Sequence, residues 1–389
     1  MRSVTIVGAS LAGLSAARAL RAQSYDGRIV IVGDEKHPPY DRPPLSKGFL
    51  AGEATVEDIA LSTEDDETLD LDWRLGRTAL RLDPTRRAVD LDTGEQLVTD
   101  GIVLATGARA RTLPGPALAG VHTLRSLDDA LALRHDLLAG GPVVVIGAGF
   151  IGAEIASTAR GLGLDVTVVE ARPTPLEEPL GPEMGAHVAA LHTAHGTNLV
   201  TGVGVAGLVG AERVGAVQLA DGRELPAATV VVGIGATPNV EWLTGSGLDL
   251  GPGVRTDSWC ATSLPGVVAV GDCASAHNRF AGEVLRLEHW TNALQQPEIA
   301  AATLLGRQAD VRGAPPYFWS DQYGVRLQFA GHRRAGDVVE VIEGDPAARS
   351  FLAVYRRGDR PVAVLSLNQP RLFGRWRRQL AVPEPEVVG

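Results

Sequence analysis

Two glycine-rich turns are the first places in this chain where residue type and spacing suggest chemistry. Gly147-Ala-Gly-Phe-Ile-Gly152 is a full Gly-x-Gly-x-x-Gly, and it follows the apolar run Val143-Val-Val-Ile146. In that pattern Gly147 permits a tight turn, Gly149 lets a pyrophosphate approach the backbone, and Gly152 lets helix and strand pack closely. The N–H groups that open the following helix then face the phosphates. Glu170 stands 18 residues after Gly152, placed to accept from a ribose 2′-OH and to repel a 2′-phosphate, which favours NADH over NADPH. Arg172 nearby opposes that preference.

An earlier stretch repeats the pattern with one change. Gly8-Ala-Ser-Leu-Ala-Gly13 carries Ser10 where the middle glycine belongs, and a side chain that small still allows close approach. Leu11 and Ala12 complete this turn. Asp34 and Glu35 lie 21 and 22 residues past Gly13, suited to an adenosine ribose. Further on, Gly271-Asp272 ends the buried run Val267-Val-Ala-Val270. A carboxylate at the C-terminal edge of a parallel sheet lies where ligands bind. Asp272 there suits a polyol such as the ribityl chain of a flavin, or equally the N-cap of a helix from Cys273 onward.

Lysine is scarce: Lys36 and Lys47 stand against 34 arginines. Lys47 ends Tyr40-Asp-Arg-Pro-Pro-Leu-Ser-Lys47, a segment whose prolines limit backbone freedom. A compact, tunable charge on a rigid loop reads either as a site residue or as a chance surface lysine. Glu154, on the first turn of the second helix, answers either to the helix dipole or to Lys47 beside a redox ring. His187, His192 and His195 lack the i, i+4 spacing of a helical zinc site and read as solvated surface residues. Glu64-Asp-Asp-Glu67 reads as a solvated acidic face. No metal site is expected.

The elements that must position these residues follow from an internal repeat. Aligning Gly8 with Gly147 gives an offset of 139 residues, pairing VTIVGASLAGLSAARAL with VVVIGAGFIGAEIASTA. Each copy runs from an apolar strand through a glycine turn and a helical pattern to a second strand, IVIVGDE or VTVVEAR. Such units predict parallel sheets buried on both faces. A short signal peptide would also suit the first copy, but its recurrence deep in the chain favours a shared structural cause. Gly101–Gly107 and Thr229–Asn239 read as further strands ending in turns. Beyond Asp310 the composition turns aromatic and arginine-rich, and alternating runs such as Ser350–Tyr355 suggest an antiparallel sheet. The predicted class is α/β, with two Rossmann-like nucleotide-binding domains and a C-terminal α+β domain. The boundaries are 1–112 with 240–309, 113–239, and 310–389.

Whole-chain properties narrow the function. Among 389 residues, 45% are hydrophobic and 21% charged, as in ordinary globular proteins. A net charge of −10 and a pI near 5.4 disfavour nucleic acid and anionic membranes as partners. The longest nearly apolar stretch, Pro142–Ala153, is too short to span a bilayer. Two cysteines, Cys260 and Cys273, leave no Cys-x-x-Cys pair, and a cytoplasmic location fits. Residues 310–389 hold 12 Arg and 9 acids, a balance of +3, which leaves −13 for the remainder.

Together PYDRPPLSK (39–47), GAGFIGAE (147–154), VGDCA (270–274) and PYFWSDQYG (316–324) resemble the NADH-dependent, FAD-containing ferredoxin reductases that serve bacterial oxygenases. The resemblance covers nearly the whole chain and implies a fold of glutathione-reductase type. It places Ala12, Asp34, Lys47, Ala79, Arg125, Asp272 and Trp290 at FAD contacts, and Lys47 with Glu154 as a charge pair near the flavin's reactive edge. Glu170 falls on the adenine-ribose anchor, Phe150 and Ile151 on the nicotinamide approach, and Trp319 on an aromatic near the flavin and the docking face. Arg42, Ala105, Thr106, Gly107 and Gly235 complete the candidate cofactor contacts. Ser10, Glu178 and the sequence after Leu367 depart from the family pattern. The implied activity passes a hydride from NADH to FAD and single electrons to a [2Fe–2S] ferredoxin serving an oxygenase. The implied state is a monomer or weak homodimer. Arg333, Arg334, Arg356, Arg357, Arg375, Arg377 and Arg378 are candidates to draw an acidic ferredoxin. Alternative readings are reduction of a quinone or another small acceptor, or a redox-responsive signalling flavoprotein.

Overall fold

The computed structural model describes residues 1–309, 311 and 313–380. Asp310 and residues 381–389, the ends of the expected third domain, lie outside them. The chain divides into two units. The first comprises Met1–Asp41, Ile59–Arg109 and Thr237–Phe318; the second comprises Arg42–Asp58, Ala110–Ala236 and the chain from Trp319 on.

In the first unit, Val267–Ala269, Gly101–Leu104, Ser3–Val7, Arg28–Gly33 and Leu71–Leu75 form one sheet in that spatial order. All neighbours are parallel. Val4, Ile6, Ile29 and Ile31 are fully buried, as continuous β-branched runs require when both faces are covered. Ser3–Val7 is therefore a central strand. The order reverses beside it, and the helix Leu11–Ala22 leaves from that point, where parallel sheets place their ligands.

The second unit repeats the plan. Asn198–Thr201, Val166–Glu170, Val143–Ile146, Thr229–Val232 and Val121–His122 form a second parallel sheet. The helix Phe150–Gly161 follows the strand Val143–Ile146. From Trp319 on, the same unit carries most of an antiparallel sheet in the order Tyr317–Gln322, Val325–Gly331, Arg360–Leu367, Ser350–Arg357, Val338–Asp345. The helix Pro370–Leu380 packs on it with Phe373 and Leu380 buried. The expected alternation over Ser350–Tyr355 is absent, since Phe351 to Tyr355 are all fully buried. The Tyr355 hydroxyl donates to the Leu180 carbonyl at 2.7 Å and Phe351 meets the His187 ring, so both faces of this strand are covered.

Candidate active site

The three glycines of the second unit's turn have two different causes. At Gly147, where φ is +100°, a Cβ would lie 2.3 Å from the Gly233 carbonyl oxygen, and at Gly152 it would lie 2.1 Å from that of Gly147. Packing alone demands both. Gly149 has an ordinary φ of −72°, and a Cβ there would meet nothing within 4 Å. Packing within the protein does not demand its smallness, which leaves an open cradle over the turn. As N-cap of Phe150–Gly161 it offers no side chain to the helix's opening N–H groups, which suits an anion.

Glu170 is fixed beside this cradle. Its Oε2 accepts from the Ala148 N–H and its Oε1 from the Arg172 N–H, each at 2.9 Å. The Arg172 guanidinium is held by Glu178 at 3.1 Å. Phe150 is half-buried and Ile151 is exposed on the opening turn. Gly235, with φ +98°, shapes the turn after Thr229–Val232.

The first unit carries the matching cradle. Gly8 has φ +124° and a Cβ there would lie 2.0 Å from the Ala105 carbonyl oxygen; at Gly13 it would lie 1.8 Å from that of Gly8. Ser10 sits at φ −108°, open to any residue, which explains how serine replaces the middle glycine. Ala12 lies under Gly271, whose Cβ would stand 3.2 Å away. The turns at 8–13, 105–107 and 271–272 thus converge on one edge of the sheet. Thr106 Oγ1 donates to the Asn239 carbonyl at 2.7 Å, and Asn239 Nδ2 returns a bond to the Thr106 carbonyl at 3.0 Å.

Asp272 lies inside a 3-10 turn capped by Val270, and the strand Ala274–Asn278 follows directly. No helix starts at Cys273, so the N-cap alternative fails. The Trp290 indole donates to Asp41 at 2.7 Å, and His289 Nδ1 beside it is buried with no hydrogen-bond partner among the described residues. An orphaned buried nitrogen suits a polar ligand atom. Asp34 and Glu35 follow the strand Arg28–Gly33, where Glu35 accepts from the Tyr40 hydroxyl. Ala79 starts a separate antiparallel strand and packs on that unit's core.

The Lys47–Glu154 pair exists. Lys47 Nζ donates to Glu154 Oε2 at 2.6 Å, with side-chain exposures of 23% and 3%. Ser46 Oγ donates to the same oxygen at 2.5 Å and Ser320 Oγ to Oε1 at 2.6 Å. Behind Ser320, Gln322 Nε2 donates to its hydroxyl at 3.0 Å. The prolines of Pro43–Ser46 start the 3-10 turn that aims Ser46 and Lys47, and Lys47 Nζ also donates to the Pro43 carbonyl at 3.0 Å. Glu154 lies just past the helix's first turn, which holds no acid, so the carboxylate answers to Lys47 and two hydroxyls rather than to the helix end. Sequence reasoning missed Ser46, Ser320 and Gln322. Trp319 precedes Ser320, with the Arg326 guanidinium 5.9 Å over its ring. Arg42 donates to the Arg125 carbonyl, and the Arg125 N–H donates to Asp129 at 2.9 Å.

Three other expectations change. The histidines are not a solvated cluster: His192 is 2% exposed, and burial lowers its pKa to about 4. Its Nδ1 lies 2.8 Å from the Tyr323 hydroxyl, and the His195 ring stacks on Tyr323 at 4.8 Å. Within Glu64–Glu67, Asp66 is drawn inward by Arg18 at 2.7 Å. Of the candidate docking arginines, Arg357 pairs with Asp337, which is 3% exposed, and Arg333 donates to the Glu178 carbonyl. Both cysteines are free and buried, and burial pushes the Cys260 thiol up to about 12. Among the described residues no group of side chains is arranged to hold a metal ion, and no helix is long and apolar enough to cross a membrane.

Known proteins share this fold and much of this sequence. The profile of the pyridine nucleotide-disulphide oxidoreductases matches residues 2–297, and that of the reductase C-terminal domain matches 317–385. Rhodocoxin reductase of Rhodococcus erythropolis is 38% identical over 98% of this chain and 90% of that protein. The ferredoxin–NAD(+) reductase component of the anthranilate 1,2-dioxygenase system of Burkholderia cepacia is 39% identical over 98% and 96%. The crystal structure of the covalent putidaredoxin reductase–putidaredoxin complex superposes with a TM-score of 0.93 at 36% identity, covering 98% of this chain and 93% of that one.

Proposed function

The chain belongs to the pyridine nucleotide-disulphide oxidoreductase family, and from that premise we propose that it is a FAD-dependent NADH:ferredoxin oxidoreductase acting in the cytoplasm. Its partner is a [2Fe–2S] ferredoxin that supplies a monooxygenase or dioxygenase. The bound flavin supplies the conversion of one hydride into two single electrons. Everything else falls to the protein. The turn Gly8–Gly13, with Asp34 and Asp272, holds FAD; the turn Gly147–Gly152, with Glu170, holds NADH.

Phe150 and Ile151 guard the nicotinamide approach, Lys47 and Glu154 hold fixed charge near the flavin's reactive edge, and Trp319 stands toward the acceptor. On this reading 1–112 with 240–309 is the FAD domain, 113–239 the NADH domain and 310–389 the C-terminal domain of a monomer or weak homodimer. One observation supports the proposal: a single chain repeats the glycine turn between strand and helix, and in the second copy two backbone N–H groups fix the Glu170 carboxylate beside that turn. The cysteines argue against a disulfide substrate, since both are buried and burial raises both thiols, so that neither acts as a thiolate.

The test is anaerobic stopped-flow mixing of the purified protein with NADH, then with a [2Fe–2S] ferredoxin. Rapid flavin bleaching followed by ferredoxin reduction is expected. Bleaching without transfer to any of several ferredoxins would move the assignment to a quinone or another small acceptor. Absence of bleaching would reject the flavin or NADH assignment.

A further inference from the structure

The strand Val166–Glu170 ends beside the cradle and places one carboxylate and one guanidinium side by side. Glu170 Oε1 accepts from the backbone N–H of Arg172, so the Arg172 side chain starts next to the candidate ribose anchor. An arginine in this neighbourhood is the cation that accommodates a 2′-phosphate in NADP-binding folds. An unoccupied Arg172 would therefore offset part of the repulsion that Glu170 exerts on NADPH.

Arg172 is occupied. Its Nη2 donates to Glu178 Oε2 at 3.1 Å. Glu178 is presented on a short turn, Glu177–Leu180, bounded by Leu176 at φ +55° and Gly181 at φ +81°. The Arg333 guanidinium pins that turn by donating to the Glu178 carbonyl at 3.0 Å. The pair stands in solvent, with side-chain exposures of 57% and 77%, so it adds little to folding stability. Selectivity is another matter. To meet a 2′-phosphate, Arg172 must leave Glu178 and strand that carboxylate, with Glu170, near a dianion. NADH leaves the pair intact.

We propose that Glu178 is a second determinant of NADH selectivity, acting by holding the Arg172 guanidinium away from a 2′-phosphate. This rests on the dinucleotide reading of the second unit given above.

The experiment is isothermal titration of the full-length protein with 5′-AMP and 2′,5′-ADP, which differ only by the 2′-phosphate, comparing wild type, Glu178→Gln, Arg172→Ala and the double variant. The readout is the ratio of the two dissociation constants, which isolates the phosphate. Glu178→Gln is expected to shift the ratio toward 2′,5′-ADP by about three- to tenfold, and by less than about twofold once Arg172 is absent. The ratio of kcat/KM for NADPH and NADH should move in parallel. A ratio unmoved by Glu178→Gln overturns the proposal. A shift of full size in the Arg172→Ala background overturns it too, because Glu178 would then act by direct repulsion. Wild-type protein that binds neither nucleotide would reject the dinucleotide reading itself and the proposal with it.

Discussion

Both oxygens of Glu154 are engaged by side chains remote in sequence: Ser46 and Lys47 on one, Ser320 on the other. Of these only Lys47 is legible from the sequence, because a rare lysine ends a proline-fixed loop. A serine carries no such signal, and nothing in the spacing between positions 154 and 320 announces a contact. The arrangement makes a separable prediction. Removing the Lys47 amine strands a carboxylate that is only 3% exposed, and breaking a buried pair in this way costs about 3–5 kcal/mol. Lys47→Ala is therefore expected to lower the melting temperature, and a second change, Glu154→Gln, to restore much of it. Flavin reduction should not recover with it. If Lys47 supplies fixed charge at the flavin, both variants reduce at least about tenfold more slowly in single-turnover stopped flow. Over the same series NADH affinity should change far less. A loss confined to NADH affinity would remove Lys47 from that role.

At the scale of elements, the strand–turn–helix units are the most legible part of the chain, because the apolar run, the glycine spacing and the helical periodicity all lie among neighbouring residues. The glycines can be sorted further. Gly152→Ala drives a Cβ to within 2.1 Å of the Gly147 carbonyl oxygen, so it should lose both stability and NADH binding. Gly149→Ala meets nothing in the protein and needs no unusual φ, so thermal unfolding should be nearly unchanged while NADH binding falls. Equal losses of stability in the two variants would contradict the cradle assignment. Less legible is the turn at Tyr323, a non-glycine residue at φ +52°. It is held because its N–H donates to Ser157 at 2.7 Å and its hydroxyl meets His192 and Thr197 at 2.8 and 2.9 Å. No periodicity reports that three-way contact.

The Tyr323 turn does give a pH signature. His192 stays neutral in the folded protein down to about pH 4, whereas the unfolded chain takes up the proton near pH 6.5. Between those values the unfolded state binds more protons, so stability is full above about 6.5 and falls as pH drops toward 4, by roughly 3 kcal/mol. Carboxylates held low by their partners, such as Asp66, Asp136 and Asp337, add to the same acid limb. The test is accordingly a difference: chemical denaturation at pH 7 and pH 5 should show a smaller drop for His192→Phe than for wild type. Identical drops would mean that His192 titrates normally.

Over the whole molecule, charge is distributed more informatively than its sum of −10 implies. The C-terminal region is the relatively basic part, but its arginines are not equivalent. Arg333 and Arg357 are committed to contacts within the fold. On the helix Pro370–Leu380, by contrast, Phe373 and Leu380 face the core while Arg371, Arg375 and Arg378 are exposed at spacings of four and three. That spacing gathers them on one helical face. The composition shift was visible in the sequence; which arginines remain available was not, since that depends on partners such as Asp337, brought close only by folding. If an acidic ferredoxin is the partner and approaches this face, the attraction speeds encounter and is screened within about 10 Å at 0.1 M salt. Ferredoxin reduction should therefore slow roughly tenfold as ionic strength rises from about 0.02 to 0.3 M. Reduction of a neutral quinone under the same conditions gives the baseline for NADH itself. Replacing Arg375 and Arg378 together with Gln should flatten the salt dependence and slow the reaction chiefly at low salt, whereas Arg357→Gln should act mainly through stability. If the double replacement leaves the slope unchanged, the ferredoxin is steered by another face of the molecule.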